Sequence, residues 1–164
     1  MPDLLATDAI IIDTRELRDN SSIVDTLTPL MGCTSFLIYG PNSKTKTGVS
    51  CVLERFSQVT LEYTPSKRAD SLPVIYSASL ISYFDTSVTG LRGYAFLSWW
   101  LEIMRHVSVN SDDSHENTFG LTSNLISAIR SHADDSTLAE FVYKMLTWCG
   151  LMPSLNACRE CGSP

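Results

Sequence analysis

Ser22-Ile23-Val24-Asp25-Thr26-Leu27-Thr28, then Pro29-Leu30-Met31-Gly32, then Cys33-Thr34-Ser35-Phe36-Leu37-Ile38-Tyr39 is the stretch whose reading decides the fold. Two short runs rich in apolar and β-branched residues flank a segment through which neither strand nor helix continues. Upstream, Ala9-Ile10-Ile11-Ile12-Asp13-Thr14 is a run of the same kind. Downstream, Gly40-Pro41-Asn42-Ser43 signals a turn. Phe56-Ser57-Gln58-Val59-Thr60-Leu61-Glu62-Tyr63 alternates apolar and polar as a half-buried strand does, and Val74-Ile75-Tyr76 opens one more. Five short strands with turns at this spacing predict a small barrel such as the OB-fold.

Past Gly90 the period lengthens. Tyr94, Leu97, Leu101 and Met104 recur at helical spacing, as do Leu121, Leu125, Ile126 and Ile129 after the polar stretch Asn110–Ser114. A third helix carries Leu138, Phe141, Val142, Met145, Leu146 and Cys149 on one stripe. Thr137-Leu-Ala-Glu140 predicts a capping box at its start, with Asp134-Asp135 favouring the same end through the helix dipole. Gly150 and Pro153 predict its stop. The fold class is α+β, β first: an OB-fold barrel over residues 1–82, then a small helical domain over 83–164.

With 164 residues and 44% apolar composition, the chain is long enough to bury a real core. No apolar run reaches the length of a membrane span, and Met1-Pro2-Asp3-Leu4 lacks a basic secretory start, so a cytoplasmic protein is expected. Cys33, Cys51 and Cys149 are isolated and read as reduced, buried residues. The net charge is −6, and the barrel half holds seven Lys/Arg against ten Asp/Glu. Nucleic-acid binding therefore needs a local patch, because affinity rests on neutralised phosphates. A glycine-rich phosphate loop and a G-x-S-x-G are both absent, so no enzyme and no catalytic residue is expected.

Several strings, in order, resemble the RecO family of DNA repair and recombination mediators. Ile10 to Arg15, Ser22-Ile23-Val24, Leu27-Thr28-Pro29 and Gly32 are similar to that family's first hairpin. Gly40-Pro-Asn-Ser-Lys44-Thr-Lys46, followed by Leu53-Glu-Arg-Phe56, corresponds to its basic loop and the strand after it. Phe141 through Gly150 and Pro153 to Cys158-Arg-Glu-Cys161-Gly162 looks like its helix, its exit and the first half of its zinc finger. The resemblance implies a barrel that binds single- and double-stranded DNA and a helical part that docks partners. Those partners are a RecR-like protein and single-strand DNA-binding protein, and the activities are strand annealing and recombinase loading. This chain departs from the family in a thinner basic loop, an acidic balance and the absence of a second cysteine pair.

Three constellations follow. Arg15, Arg18, Lys44, Lys46, Lys67 and Arg68 are the candidate DNA-binding residues, with Tyr39 and Tyr63 as stacking surfaces for bases. On the residues alone, these charges are an ordinary solvated set. The alternative function is a protein-interaction module that keeps the scaffold without DNA binding. Cys158 and Cys161 have the spacing to grip zinc, but structural zinc takes four ligands, so no zinc or other cofactor is expected within this monomer. Trp99 and Trp100 are neighbours about 100° apart on a helix, so both cannot face one core. Burial of both between barrel and bundle is the expectation, and an apolar partner-binding groove is the alternative.

Overall fold

A computed structural model describes residues 4–17, 21–40, 52–66, 68, 71–108, 115–152 and 161. Five strands and three helices follow in the order expected: β1 (Leu5–Glu16), β2 (Ser21–Thr28), β3 (Gly32–Tyr39), β4 (Gln58–Thr64), β5 (Val74–Ser82), α1 (Thr86–Ser108), α2 (His115–Arg130) and α3 (Asp135–Trp148). The strands close into a barrel in the order β1-β2-β3-β5-β4, the OB-fold arrangement.

The deciding hairpin forms as its sequence demands. β2 and β3 pair antiparallel from Ser21↔Tyr39 to Thr28↔Gly32. Gly32 takes φ 62°, a left-handed value open to glycine at little cost. The Thr28 hydroxyl accepts from the Met31 amide at 3.1 Å, and the Thr34 hydroxyl donates to the Met31 carbonyl at 3.0 Å, so the turn's polar groups are satisfied internally. β1 is long enough to serve two neighbours. Its first half pairs with β4 and its second with β2, and a bulge between Ile11 and Asp13 bends it across the corner. Closure between β3 and β5 is parallel and rests on Leu37↔Val74.

Alternation divides the barrel residues into two cores. Ile11, Val24, Phe36, Val59, Leu61 and Ile75 fill the interior, with the Tyr63 ring edge-on to Phe36 at 5.1 Å. Ile10 and Leu27 face each other across β1 and β2 on the opposite, outer surface, and both are fully buried. Each such side chain stabilises the fold by roughly 1.5–3 kcal/mol when covered, so the outer face must have a lid. Helices supply it: α1 lies against β3, and α2 against β2 and β3. Leu97, Trp100, Leu101 and Met104 of α1 are completely buried. The Trp100 indole donates to the Thr122 hydroxyl of α2 at 3.0 Å, and Gln58 of β4 reaches Ser123 of α2 at 2.8 Å. At Gly93 the two helices come so close that a Cβ would meet the Ile129 side chain at 2.7 Å.

Three local expectations are corrected. β4 begins at Gln58, not Phe56. Phe56 stands in a turn at φ 69°, a conformation costing a bulky residue about 1–2 kcal/mol. That cost is offset by burial of its ring edge-on to Phe84 and Tyr94 at 5.2 and 5.1 Å. α3 is capped by Asp134 and not by a box at Thr137. The Asp134 carboxylate accepts from the Thr137 amide at 2.9 Å and from the Thr137 and Ser136 hydroxyls at 2.7 and 3.0 Å. These bonds stabilise the carboxylate and hold the Asp134 pKa below the usual carboxylate range. A carboxylate one turn earlier captures Thr137 before that residue can act as the cap itself. Finally, Trp99 is exposed, so the tryptophans are not both buried.

The stop of α3 is as read. Gly150 adopts φ 69°, its amide donates to the Thr147 carbonyl at 3.1 Å, and the Leu151 amide donates to the Leu146 carbonyl at 2.9 Å. Compactness divides the chain at 132/133, so residues 1–132 hold the barrel with α1 and α2, and 133–164 form a second unit containing α3. The change from strands to helices falls earlier, between Ser82 and Thr86.

Candidate nucleic-acid interface

An OB-fold binds oligonucleotides on the outer face of strands 2 and 3 and through the loops beside it. Here much of that face is under the helical lid. Asp25 of β2 is 5% exposed. It accepts from Arg15 Nη2 at 3.2 and 3.0 Å, from Arg105 Nη2 of α1 at 2.8 Å, and from the Ser35 hydroxyl at 2.6 Å. A buried carboxylate thus ties two strands to α1 through two guanidinium groups, each left partly in solvent. Cys33, two residues before Ser35, donates its thiol to the Met104 carbonyl at 3.8 Å.

The surface beyond the lid is the rim where β1, β2, β3 and β5 meet. Register places it. Glu16 pairs with Ser22, Ser21 with Tyr39, and Leu37 with Val74. The Leu17 amide closes the β1–β2 connection onto the Ser21 carbonyl at 2.7 Å, and the Leu37 amide reaches the Pro73 carbonyl at 2.8 Å. The β1–β2 connection and the exit from β3 therefore meet at one end of the barrel, while the β4–β5 connection enters β5 alongside β3 at Leu37 from the opposite direction. These three connections carry the candidate basic residues other than Arg15, which lies on β1.

Of those residues, Arg18, Lys44, Lys46 and Lys67 lie outside the described residues, as does Cys158. Arg15 and Arg68 are described. Arg15 is exposed but shares its charge with Asp25. Arg68 is exposed in a turn braced by serines: its amide donates to the Ser66 hydroxyl at 3.2 Å, and its carbonyl accepts from the Ser71 amide at 3.1 Å. Of the acids in the barrel half, Glu54 accepts from the Tyr83 hydroxyl at 2.8 Å, beyond the far end of β5. Glu62 lies closer to the rim, on β4, where it takes the Ser77 hydroxyl. The pKa of the Tyr83 phenol is pushed above its ordinary value, first by that hydrogen bond to Glu54 and then by the Glu54 charge.

The two tyrosines separate. Tyr39 ends β3 at the rim with 46% of its surface exposed, whereas Tyr63 belongs to the interior core and presents no face to a base. Trp100 is wholly inside, so only Trp99 of that pair offers surface, with its ring tilted against Phe96 at 5.4 Å. Sequence reasoning missed Arg105, whose place beside Asp25 depends on the angle at which α1 crosses the barrel. Arg55, a further basic residue of the barrel half, holds its guanidinium over the Phe56 and Tyr94 rings at 5.0 and 5.9 Å. Cys161 is exposed, and among the described residues no three His, Cys, Asp or Glu side chains stand together as a metal site. Two thiols do not complete the four-ligand shell of structural zinc. No helix among the described residues is long and apolar enough to cross a membrane.

A closed five-stranded barrel in OB order, helices over its outer face and an open rim define an OB-barrel protein with a helical lid. The sequence comparisons give the particular family. The model for the N-terminal region of recombination protein O matches residues 1–84, and the chain belongs to the RecO family. It is 26% identical over 157 residues to the DNA repair protein RecO of Desulfosudis oleivorans, covering 93% of this chain and 59% of that protein. It is 24% identical over 159 residues to the DNA repair protein RecO of Desulfatibacillum aliphaticivorans, covering 96% of this chain and 61% of that protein. The chain thus spans less than two thirds of the length of either relative.

Proposed function

We propose that this chain is a DNA-binding component of DNA repair and recombination that grips the nucleic-acid backbone at the barrel rim. The observation that carries this reading is the meeting of the β1–β2 connection and the β3 exit at one end of the barrel, with the family's basic-loop string beginning at that exit and the β4–β5 connection entering alongside β3 at Leu37. Lys44, Lys46, Lys67 and Arg68 neutralise phosphates there, Arg18 adds to them, and Arg15 contributes what its pairing with Asp25 leaves. Cations in loops suit backbone contact without base readout, which leaves bases available for pairing. Annealing of complementary strands and help in loading a recombinase are the activities this arrangement serves. A RecR-like protein and single-strand DNA-binding protein are the proposed partners, the cytoplasm is the proposed setting, and no catalytic step is assigned.

The test is anisotropy titration of labelled DNA at two salt concentrations with the chain and with a variant carrying Lys44, Lys46, Lys67 and Arg68 all changed to Gln. Affinity of the unaltered chain falls as salt rises. The variant binds more weakly and its logarithmic salt slope is shallower by roughly 0.7 per lost contact on a single strand. No detectable binding at low salt sinks the reading. A second reading then stands, a non-enzymatic protein-interaction module on the same scaffold, which the net charge of −6 and the helical lid over the usual strand face favour.

A further inference from the structure

β5 outruns its neighbour in the barrel. It runs parallel to β3, but the two strands meet at Leu37↔Val74 and β3 ends two residues later at Tyr39. β5 continues to Ser82. Its other side is paired with β4 from Val74↔Thr64 to Ser82↔Gln58. From Ser77 to Ser82, then, one edge of β5 is held by β4, and the opposite edge has no strand against it among the described residues. Such an edge presents a row of backbone donors and acceptors to any strand laid along it.

Edges of this kind are ordinarily guarded by charged side chains or proline. Val74-Ile-Tyr-Ser-Ala-Ser-Leu-Ile-Ser82 has neither, whereas β1, β2 and β4 each carry at least one charged residue. β3 is uncharged too, but it lies under α1 and α2. Three large apolar side chains of β5 stay open: Tyr76 is 39% exposed, Leu80 47% and Ile81 54%. Bulges at Tyr76 and Ile81 bracket a regular stretch in which Ser77, Ala78, Ser79 and Leu80 pair in turn with Glu62, Leu61, Thr60 and Val59. That stretch keeps the even pleat on which a further strand can pair.

The residues of β5 say which strand that is. Read outward from Ala78 in both directions, β5 is close to symmetric: Ser77 and Ser79, then Tyr76 and Leu80, then Ile75 and Ile81. A second copy laid antiparallel about Ala78 sets Ser77 opposite Ser79 and brings the apolar end of each strand to the apolar end of the other. A two-fold interface requires this self-complementarity, because the same patch meets itself. Charge agrees. Two copies of a chain at −6 repel one another, and β5 offers them an uncharged strip on which to meet. We propose that the open edge of β5 is a self-association site, on which two copies of this chain pair β5 to β5 antiparallel about Ala78 and join their barrels through one continuous sheet. The pairing needs no DNA and stands apart from the rim.

The test is sedimentation equilibrium of the full chain from low to high micromolar concentration, with hydrogen exchange of the β5 amides at both ends of that range. The mass is expected to rise from one chain towards two, and exchange within Ser77–Ser82 to slow as it does. Ser79→Lys and Leu80→Lys each place a charge on the strip twice per pair, and each should weaken association by roughly tenfold or more. Leu30→Lys, at an exposed apolar residue of the β2–β3 turn, leaves the mass curve unchanged. Circular dichroism and thermal melting at low concentration confirm that each variant is folded. The mass of one chain at every concentration overturns the proposal, as does association that leaves β5 exchange unaltered or survives both edge substitutions. A mass climbing past two chains overturns the closed two-fold pair.

Discussion

One strand, β3, meets two different surroundings along its outer edge. Near its start, Cys33 and Ser35 lie under the helices, bonded to Met104 and to the buried Asp25. At its end, Tyr39 lies past the lid and in solvent. The strand geometry is the same throughout, so the difference comes from what covers it. Where α1 and α2 cross, outward apolar residues such as Leu27 become a second core and the OB-fold's usual binding face is used for folding. Where they do not cross, the same face remains available for a ligand. On the proposed function, stability and recognition divide along a single strand, and substitutions at its two ends should have opposite consequences.

The largest effect is expected at Trp100. Its indole is fully buried in the lid and bonded to Thr122. Trp100→Ala removes the largest side chain of that layer and should cost about 3–5 kcal/mol in chemical denaturation. Tyr39→Ala, at the open end, should change stability by no more than about 0.5 kcal/mol. Comparable costs at the two positions would mean that the two ends are not the separate surfaces described.

Asp25 tests the boundary between them. Asp25→Ala strands Arg15, Arg105 and Ser35 together. A fully buried ion pair broken in this way costs about 3–5 kcal/mol, but both guanidinium groups here are partly solvated, so about 2 kcal/mol is the expected loss. The charge released has a second consequence. With the carboxylate gone, Arg15 gains a full positive charge at the rim, so DNA affinity at low salt should rise while stability falls. A parallel drop in both would show that Asp25 only orders the interface.

Much of this division was legible in the residues, and the limits are instructive. Alternation and turn residues located the five strands because a period of two is a local property. The glycine exit of α3 was legible for the same reason, since Gly150 is strained for any other residue type wherever the helix packs. The helix cap was misplaced because Thr137 and Asp134 both have capping chemistry and only the backbone path decides which comes first. The lid was not legible. Ile10 and Leu27 show that the outer face is apolar, yet nothing in their spacing says that α1 descends so that Arg105 meets Asp25. Likewise, Tyr76 lay within an expected strand, and its outward turn depends on a bulge set by pairing with β4. Long-range register and helix crossing set these features, and both escape a local pattern.

The smallest expected effect contrasts the two ends of β5. Tyr76, near its start, faces the rim, whereas Tyr83, just past its end, donates its hydroxyl to Glu54 at 2.8 Å. That bond favours the neutral phenol, and the Glu54 charge opposes the phenolate, so the Tyr83 pKa is raised. A group whose proton is held more tightly in the folded state contributes stability below its unfolded value, and the contribution is lost as pH rises through the raised folded value. Glu54→Gln keeps an acceptor but removes the charge. Ultraviolet titration of tyrosinate should therefore show one phenol ionising at lower pH in the variant, with the remaining tyrosines unmoved. Because Tyr83 lies at the opposite end of β5 from Tyr76, single-strand DNA binding near neutral pH should be the same in this variant as in the unaltered chain. A loss of binding in Glu54→Gln would extend the recognition surface along the whole length of β5 and dissolve the distinction between an anchored end and an open one.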